Sequence, residues 1–414
     1  MSKKNNYTFF ILHSTLLILH CTLLILFSSC GRDNSHDEDL KIFKYNESAG
    51  ILTLDPIYAK DLPHIWACNQ IFNGLVAFDD EMNVVPAIAK SWNISDDGMT
   101  YTFVLRDDVY FHEDECFLKT TDIGYASTRR VTAHDFVYSF NRVLDRKLNS
   151  SGSWIFSNVN KRQQTTDNGQ RTFEYAFEAI NDTILKIELT QPFPAFLGIL
   201  SMTYASVVPH EAVDFYGTEF GRHPVGTGPF KYQYWKEGVK LVFRKNPNYF
   251  EKIGEERLPY LDAVSISFII DKQVAFMEFV KGKFDFMSGI DARYKDELLT
   301  RDGQLRQEYE DDIYLIREPY LNTEYLAFFL GENDTLGKER SLALRQAVSY
   351  SIDREKMLRY LRNGIGTPGN YGIIPVGLPG AWEQGNESVS WERELGTGIN
   401  SQSPHPLPSP KIGY

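Results

Sequence analysis

Cysteine is scarce, with four in 414 residues: Cys21, Cys30, Cys68 and Cys116. Four cannot build a disulfide scaffold for a chain of this size, and their spacing suits no zinc site. Net positive charge is also lacking. The 43 Lys and Arg stand against 55 Asp and Glu, a formal charge of −12, and an acidic chain repels phosphate backbones. The basic pair Arg129-Arg130 is too short to reverse this, so nucleic-acid binding is excluded. Catalytic signatures are missing as well. There is no G-x-S-x-G and no G-x-x-x-x-G-K-[ST], and Gly226-Thr227-Gly228-Pro229 lacks the third glycine and helical start of a dinucleotide loop. His210-Glu211 is followed by Asp214 where H-E-x-x-H needs a second histidine, and His112-Glu113-Asp114-Glu115 reads as a solvated acidic turn rather than a metal site. No cofactor, metal or catalytic residue is expected. An exported hydrolase, the enzymatic alternative, would need a constellation that only folding assembles.

What is present is a globular balance, 43% hydrophobic and 24% charged, with an aromatic content of 14% that offers flat apolar surface for gripping extended ligands. Lys3 and Lys4 precede an apolar run from about Phe9 to Phe27, which reads as a secretory signal with an uncleaved membrane anchor as the competing reading. Leu26-Phe27-Ser28-Ser29-Cys30 resembles a bacterial lipobox, with Phe27 where that pattern usually has Leu. This implies a signal peptide over 1–29, lipid attachment at Cys30 and an acidic tether over 30–39. The expected location is the cell envelope, anchored to a membrane and facing the periplasm or the exterior. Cys68 and Cys116 then remain, as one exported disulfide or as buried free thiols; Cys68 falls on the apolar face of a helix.

Periodicity places that helix over Ile65, Cys68, Ile71, Phe72 and Leu75, with Asp61 as N-cap and Pro63 in its first turn. Tyr101, Phe103 and Leu105 alternate in a strand that pairs across Asp97-Gly98. Thr132 and Asp135 open a helix whose buried stripe is Ala133, Phe136, Val137, Phe140 and Leu144. Residues 161–171 read as a polar surface insertion. Phe173, Tyr175 and Phe177 form one strand that turns at Asn181-Asp182 into Leu185, Ile187 and Leu189. Further strands carry Val239, Leu241 and Phe243, then Val264, Ile266 and Phe268. Helices return over 344–352 and after Asp353, ending at Gly364. The fold class is mixed α/β with several lobes.

Three blocks then stand out. The first runs from Leu54-Asp55-Pro56 through Ala87-Ile88-Ala89-Lys90-Ser91-Trp92 to Val131-Thr132-Ala133-His134-Asp135-Phe136-Val137-Tyr138-Ser139. The second is His223-Pro224-Val225-Gly226-Thr227-Gly228-Pro229-Phe230-Lys231, running into Asn246-Pro247-Asn248-Tyr249-Phe250. The third is Leu344-Arg345-Gln346-Ala347-Val348-Ser349-Tyr350-Ser351-Ile352-Asp353-Arg354. Together they resemble the family 5 solute-binding proteins of bacterial ABC importers, the oligopeptide- and dipeptide-binding lipoproteins, over about residues 43–379. The resemblance implies a two-lobed, periplasmic-binding-protein-like fold. Lobe one takes 40–72 and 179–251, an inserted subdomain 73–178, and a partial lobe two 252–379.

The resemblance further implies a non-catalytic monomer that holds an extended peptide by main-chain pairing and delivers it to an ABC permease driven by an ATPase. The implied ligand-binding residues are Lys60, Asp61 and Leu62 as a backbone edge, Thr227 and Gly228 opposite it, and Trp154 as an aromatic wall, with core packing the competing role for Trp154. Nickel, haem or a sugar are alternative solutes on the same fold. Beyond residue 379 the family pattern stops, and residues 380–414 read as a disordered tail outside the family. Impaired ligand capture by an incomplete second lobe is the accompanying expectation.

Overall fold

A computed structural model of the chain describes residues 40–119, 127–165, 171–317, 321–330, 337–369, 373–375 and 378. The expected signal peptide, Cys30, the acidic tether and the tail from 380 onward lie outside the described residues. Two compact units divide the chain, one reaching Met287 and one starting at Ser288.

The amino-terminal unit runs through β1 (Ile42–Asn46), α1 (Leu62–Ile71), β2 (Val76–Phe78), β3 (Val84–Pro86), β4 (Ala89–Ile94), β5 (Thr100–Leu105) and α2 (Ala133–Leu144). It continues with β6 (Lys161–Thr165), β7 (Arg171–Tyr175), β8 (Phe177–Asn181), β9 (Ile184–Glu188), α3 (Phe196–Leu200), α4 (His210–Tyr216), β10 (Phe230–Lys236) and β11 (Lys240–Lys245). The short ladder β12 (Lys252–Ile253) with β13 (Glu256–Arg257), then β14 (Ala263–Ser267) and α5 (Lys272–Val280), complete it. Two four-stranded sheets organise these elements, ordered β1-β14-β11-β10 and β4-β5-β9-β8. In the first, β1 and β14 are parallel, with Ile42 opposite Ala263, and the other pairs are antiparallel.

Two strand pairings cross the boundaries that the resemblance implies. β14, which the resemblance places in lobe two, sits between β1 and β11 in the first sheet, within the compact unit that reaches Met287. Likewise β9, which the resemblance places in lobe one, pairs with β5 of the inserted segment. Both pairings join strands far apart in the chain, which short motifs do not report.

Local rules account well for individual elements. The alternation in β5 buries Tyr101, Phe103 and Leu105. At the start of α2 the Thr132 N–H donates to Asp135 Oδ2 at 2.8 Å, closing its first turn. The helix buries Ala133, Phe136, Phe140 and Val143, while Val137 and Leu144 are only partly buried. Phe140 packs its ring 4.7 Å from Phe156 and 5.3 Å from Phe177, joining α2 to the second sheet. The strand expected over 173–177 breaks at Ala176, whose N–H donates to Asn160 and whose carbonyl accepts from Glu188. Tyr175 therefore pairs with Lys161 in a separate hairpin and Phe177 with Ile187, and the stretch expected as a bare surface insertion begins and ends in the paired strands β6 and β7.

The basic pair read from sequence is divided too. Arg129 is clamped between Asp135, at 2.6 and 2.9 Å, and Glu211, at 2.5 and 2.6 Å, and its guanidinium lies over Phe111. Cys68 and Cys116 are buried free thiols, and burial pushes both thiol pKa values up.

The carboxy-terminal unit holds α6 (Lys295–Leu298), α7 (Lys338–Ser351) and α8 (Arg354–Leu361). Asp353 caps α8 through the Lys356 N–H at 3.0 Å, as its sequence position suggests. Asn363, buried with φ of 50°, donates to Asp296 and Thr300 at 3.1 Å and accepts from Lys295 Nζ at 2.7 Å, so α6 is tied to the segment leaving α8. Leu342, Leu344 and Tyr350 of α7 are exposed. No helix among the described residues is long and apolar enough to cross a membrane.

Candidate ligand-binding edge

The site is built around the start of α1. Leu54-Asp55-Pro56 leads into it as a buried anchor: the Leu54 N–H donates to Gly221 at 2.8 Å, and Asp55 accepts from the Ile57 N–H at 3.3 Å to open a single 3-10 turn. Arg142 of α2 reaches the same carboxylate with two hydrogen bonds of 2.8 and 2.5 Å, a paired geometry that makes burying both charges tolerable. The Asp55 and Arg142 side chains are 7% and 8% exposed, so the pair works in a dry interior.

Past this anchor the chain surfaces. Lys60, Asp61 and Leu62 are all exposed, with the Lys60 N–H turned back to the Tyr58 carbonyl at 2.8 Å. Asp61 is the N-cap of α1, accepting from the His64 N–H at 3.3 Å and also from its Nδ1. Burial raises the Asp61 carboxyl pKa, but those hydrogen bonds and the nearby Lys60 outweigh it and hold the carboxyl below its usual range. His64 Nε2 accepts from the Leu52 N–H at 3.1 Å.

Trp154 stands just after a loop that bonds to the turn preceding this edge. Its side chain is 51% exposed on the 3-10 turn Ser153–Phe156, whose core contacts come from Ile155 and Phe156, so ordinary core packing does not describe it. The preceding loop is tied to the turn before the edge: Ser150 Oγ donates to the Ile57 carbonyl at 2.9 Å and the Tyr58 hydroxyl to the Leu148 carbonyl at 2.7 Å. Gly152 is needed there because a Cβ would meet the Tyr204 ring at 2.3 Å.

Thr227 and Gly228, expected opposite the edge, lie elsewhere. Both are buried at the other end of α1, roughly 15 Å away along ten residues of helix. The Gly228 N–H donates to Ile71 at 2.7 Å, and its carbonyl accepts from His112 Nε2 and Asn246 Nδ2, each at 3.0 Å. Thr227 Oγ1 donates to Asn73 Oδ1 at 3.0 Å. The glycines are steric requirements, since a Cβ on Gly226 would stand 2.1 Å from the Ile71 carbonyl oxygen and one on Gly228 2.5 Å from its carbon.

His112 completes this closure and corrects its reading as part of a solvated turn. It is 3% exposed and grips the glycine loop from both ring nitrogens, Nε2–H donating to Gly228 while Nδ1 accepts from the Gly226 N–H at 3.3 Å. Burial pushes its pKa down to about 4, the Gly228 bond opposing and Lys231 assisting. Beside it lies a cavity of about 50 Å³, lined in part by Asp114, His223 and Tyr232, with room only for a water-sized guest. A larger open depression of about 400 Å³ lies in the carboxy-terminal unit and holds none of the candidate residues. Among the described residues no group of three His, Cys, Asp or Glu side chains converges as a metal site.

Lys60, Asp61 and Leu62 are exposed just after Leu54-Asp55-Pro56, and Trp154 is exposed on a loop bonded to the same turn. Residues 83–391 match the model for bacterial extracellular solute-binding proteins, family 5 Middle. The chain belongs to that family, one of solute-binding proteins rather than enzymes. It is 28% identical over 326 residues to the glutathione-binding protein GsiB of Escherichia coli K12, covering 79% of this chain and 54% of that one. The chain thus spans about half the length of the curated relatives it matches. Among solved structures, the E. coli murein tripeptide binding protein MppA superposes with a TM-score of 0.60 at 24% identity, covering 79% of this chain and 58% of that one. NikZ from Campylobacter jejuni in complex with Ni(L-His) gives 0.57 at 25%, covering 80% and 57%. These likenesses bear out the mixed α/β binding-protein fold.

Proposed function

We propose that this chain is the solute-binding component of an ABC importer, anchored by lipid at Cys30 after removal of residues 1–29, and that it captures peptides outside the cytoplasm as a monomer. It hands them to a membrane permease driven by an ATPase. The observation that carries this reading is the exposed Lys60-Asp61-Leu62 edge at the mouth of α1, with Trp154 on a loop bonded to the turn before it. The first N–H groups of a helix have no intrahelical acceptor. Asp61 takes that of His64, and the N–H of Leu62 is available to a ligand carbonyl. Main-chain pairing of this kind tolerates varied ligand side chains, while the indole covers one side. Thr227 and Gly228 serve the same site indirectly, by fixing the far end of α1.

Native mass spectrometry of the full chain purified from its membrane fraction tests the proposal. A co-purifying peptide, released on denaturation and unchanged by incubation with the protein, supports it; hydrolysis of that peptide overturns it. A second reading, capture of a nickel chelate, is favoured by the likeness to the Ni(L-His) complex of NikZ. The same spectrum separates the two, because nickel and histidine would replace the peptide mass. The C30A variant is expected to leave the membrane for the soluble fraction, and its continued attachment would favour a retained apolar anchor.

A further inference from the structure

We propose that His64 is the positioning residue of the ligand edge: its imidazole couples the Leu52 strand of chain to the Asp61 cap and so holds residues 60–62 in their binding conformation. The inference rests on the reading of that edge as the ligand site, and it adds a residue the motifs do not mark. His64 is 8% exposed although it lies in the first turn of a helix whose neighbours Lys60, Asp61 and Leu62 face solvent. Both ring nitrogens are committed. The Leu52 N–H can only donate, so Nε2 is the acceptor, at 3.1 Å; the ring proton therefore sits on Nδ1, which donates to Asp61 Oδ1.

The imidazole thus bridges two segments that share no direct backbone bond at this point. Leu52 itself is 73% exposed, so its amide is held by the histidine and not by burial of its side chain. Asp61 receives a second bond from the His64 N–H at 3.3 Å, and the two together fix the carboxylate. The backbone at Asp61 is extended, φ −131° and ψ 162°, as an N-cap requires, and this extended residue lies between the two others that a ligand main chain would meet.

Two variants separate the halves of the bridge. In H64N the amide nitrogen lies near the place of Nδ1 and keeps the bond to Asp61, but nothing reaches Leu52. In H64Q the longer amide oxygen takes the place of Nε2 and keeps the bond from Leu52, while the Asp61 bond is lost. Hydrogen exchange on the unliganded full chain should show the Leu52 amide exchanging about tenfold faster in H64N than in the parent, with near-parental exchange in H64Q. Calorimetric titration with trialanine should show about tenfold weaker binding in both variants, with thermal midpoints close to that of the parent. Unchanged Leu52 exchange in H64N, or affinity that falls only in step with the thermal midpoint, overturns the proposal. If the parent binds neither trialanine nor reduced glutathione, the functional reading fails, and the exchange of Leu52 still decides whether the bridge exists.

Discussion

At its amino-terminal end α1 opens to solvent through Lys60, Asp61 and Leu62; at its carboxy-terminal end Gly226, Thr227 and Gly228 seal it, with both backbone polar groups of Gly228 bonded internally. Both ends lie beside residues that resemble the family's motifs, yet only the first is exposed. The glycine-rich end is rich in motif residues because it is crowded. Backbone lies so close to Ile71 that a single methyl group has no room, and His112 must arrive neutral to bond both sides of the loop. The open end needs few special residues, because its geometry is set from behind by Asp55, Arg142 and His64.

The largest effect should come from removing support behind the open end. R142A strands the buried Asp55 carboxylate and is expected to lower stability by about 3–5 kcal/mol, read as a shift in the urea midpoint. The double variant D55L/R142M should recover most of that, since the two charges then leave together. If R142A alone proves neutral, the buried pair is not the anchor described.

At the sealed end, stability should depend on pH through His112. Its pKa in the folded chain, about 4, lies below the unfolded value near 6.5, so between those limits the unfolded state binds more protons. Stability is therefore full above pH 6.5 and falls as the pH drops towards 4, by about 3 kcal/mol from this group. The difference between parent and H112Q unfolding curves across that window isolates the effect, and parallel curves would refute it.

Smaller losses should follow from crowding the sealed end. G226A places its methyl group against the Ile71 carbonyl and should cost about 1–3 kcal/mol in chemical denaturation, with trialanine affinity changed only as far as the fold is disturbed. W154A, on the open side, should leave stability within about 0.5 kcal/mol while weakening trialanine binding by about three- to tenfold. A reversal, with W154A destabilising and G226A harmless to the fold, would exchange the roles assigned to the two ends.

How much of this was legible in the sequence follows from the range of each interaction. The Asp61 cap and the Thr132–Asp135 turn were readable because each spans three residues. The grip of His112 on Gly226 and Gly228 crosses more than a hundred residues, so an imidazole among acids read as a solvated turn. Trp154 was ambiguous for a related reason: a tryptophan between apolar neighbours shows no periodicity in a turn of four residues, and only the fold sends Ile155 and Phe156 inward while leaving the indole outside. The burial of Thr227 and Gly228 at the far end of α1 was not legible because the motif carries no information about which end of a helix it will meet. The place of β14 in the first sheet was hidden likewise, since its run of apolar residues suits either unit.

Hydrogen exchange of the full chain with and without saturating trialanine tests the contrast most directly. The account predicts slower exchange at residues 60–62 and 154 on binding, no change at 226–228, and trialanine recovered intact. Protection confined to 226–228, or release of free alanine, would contradict it.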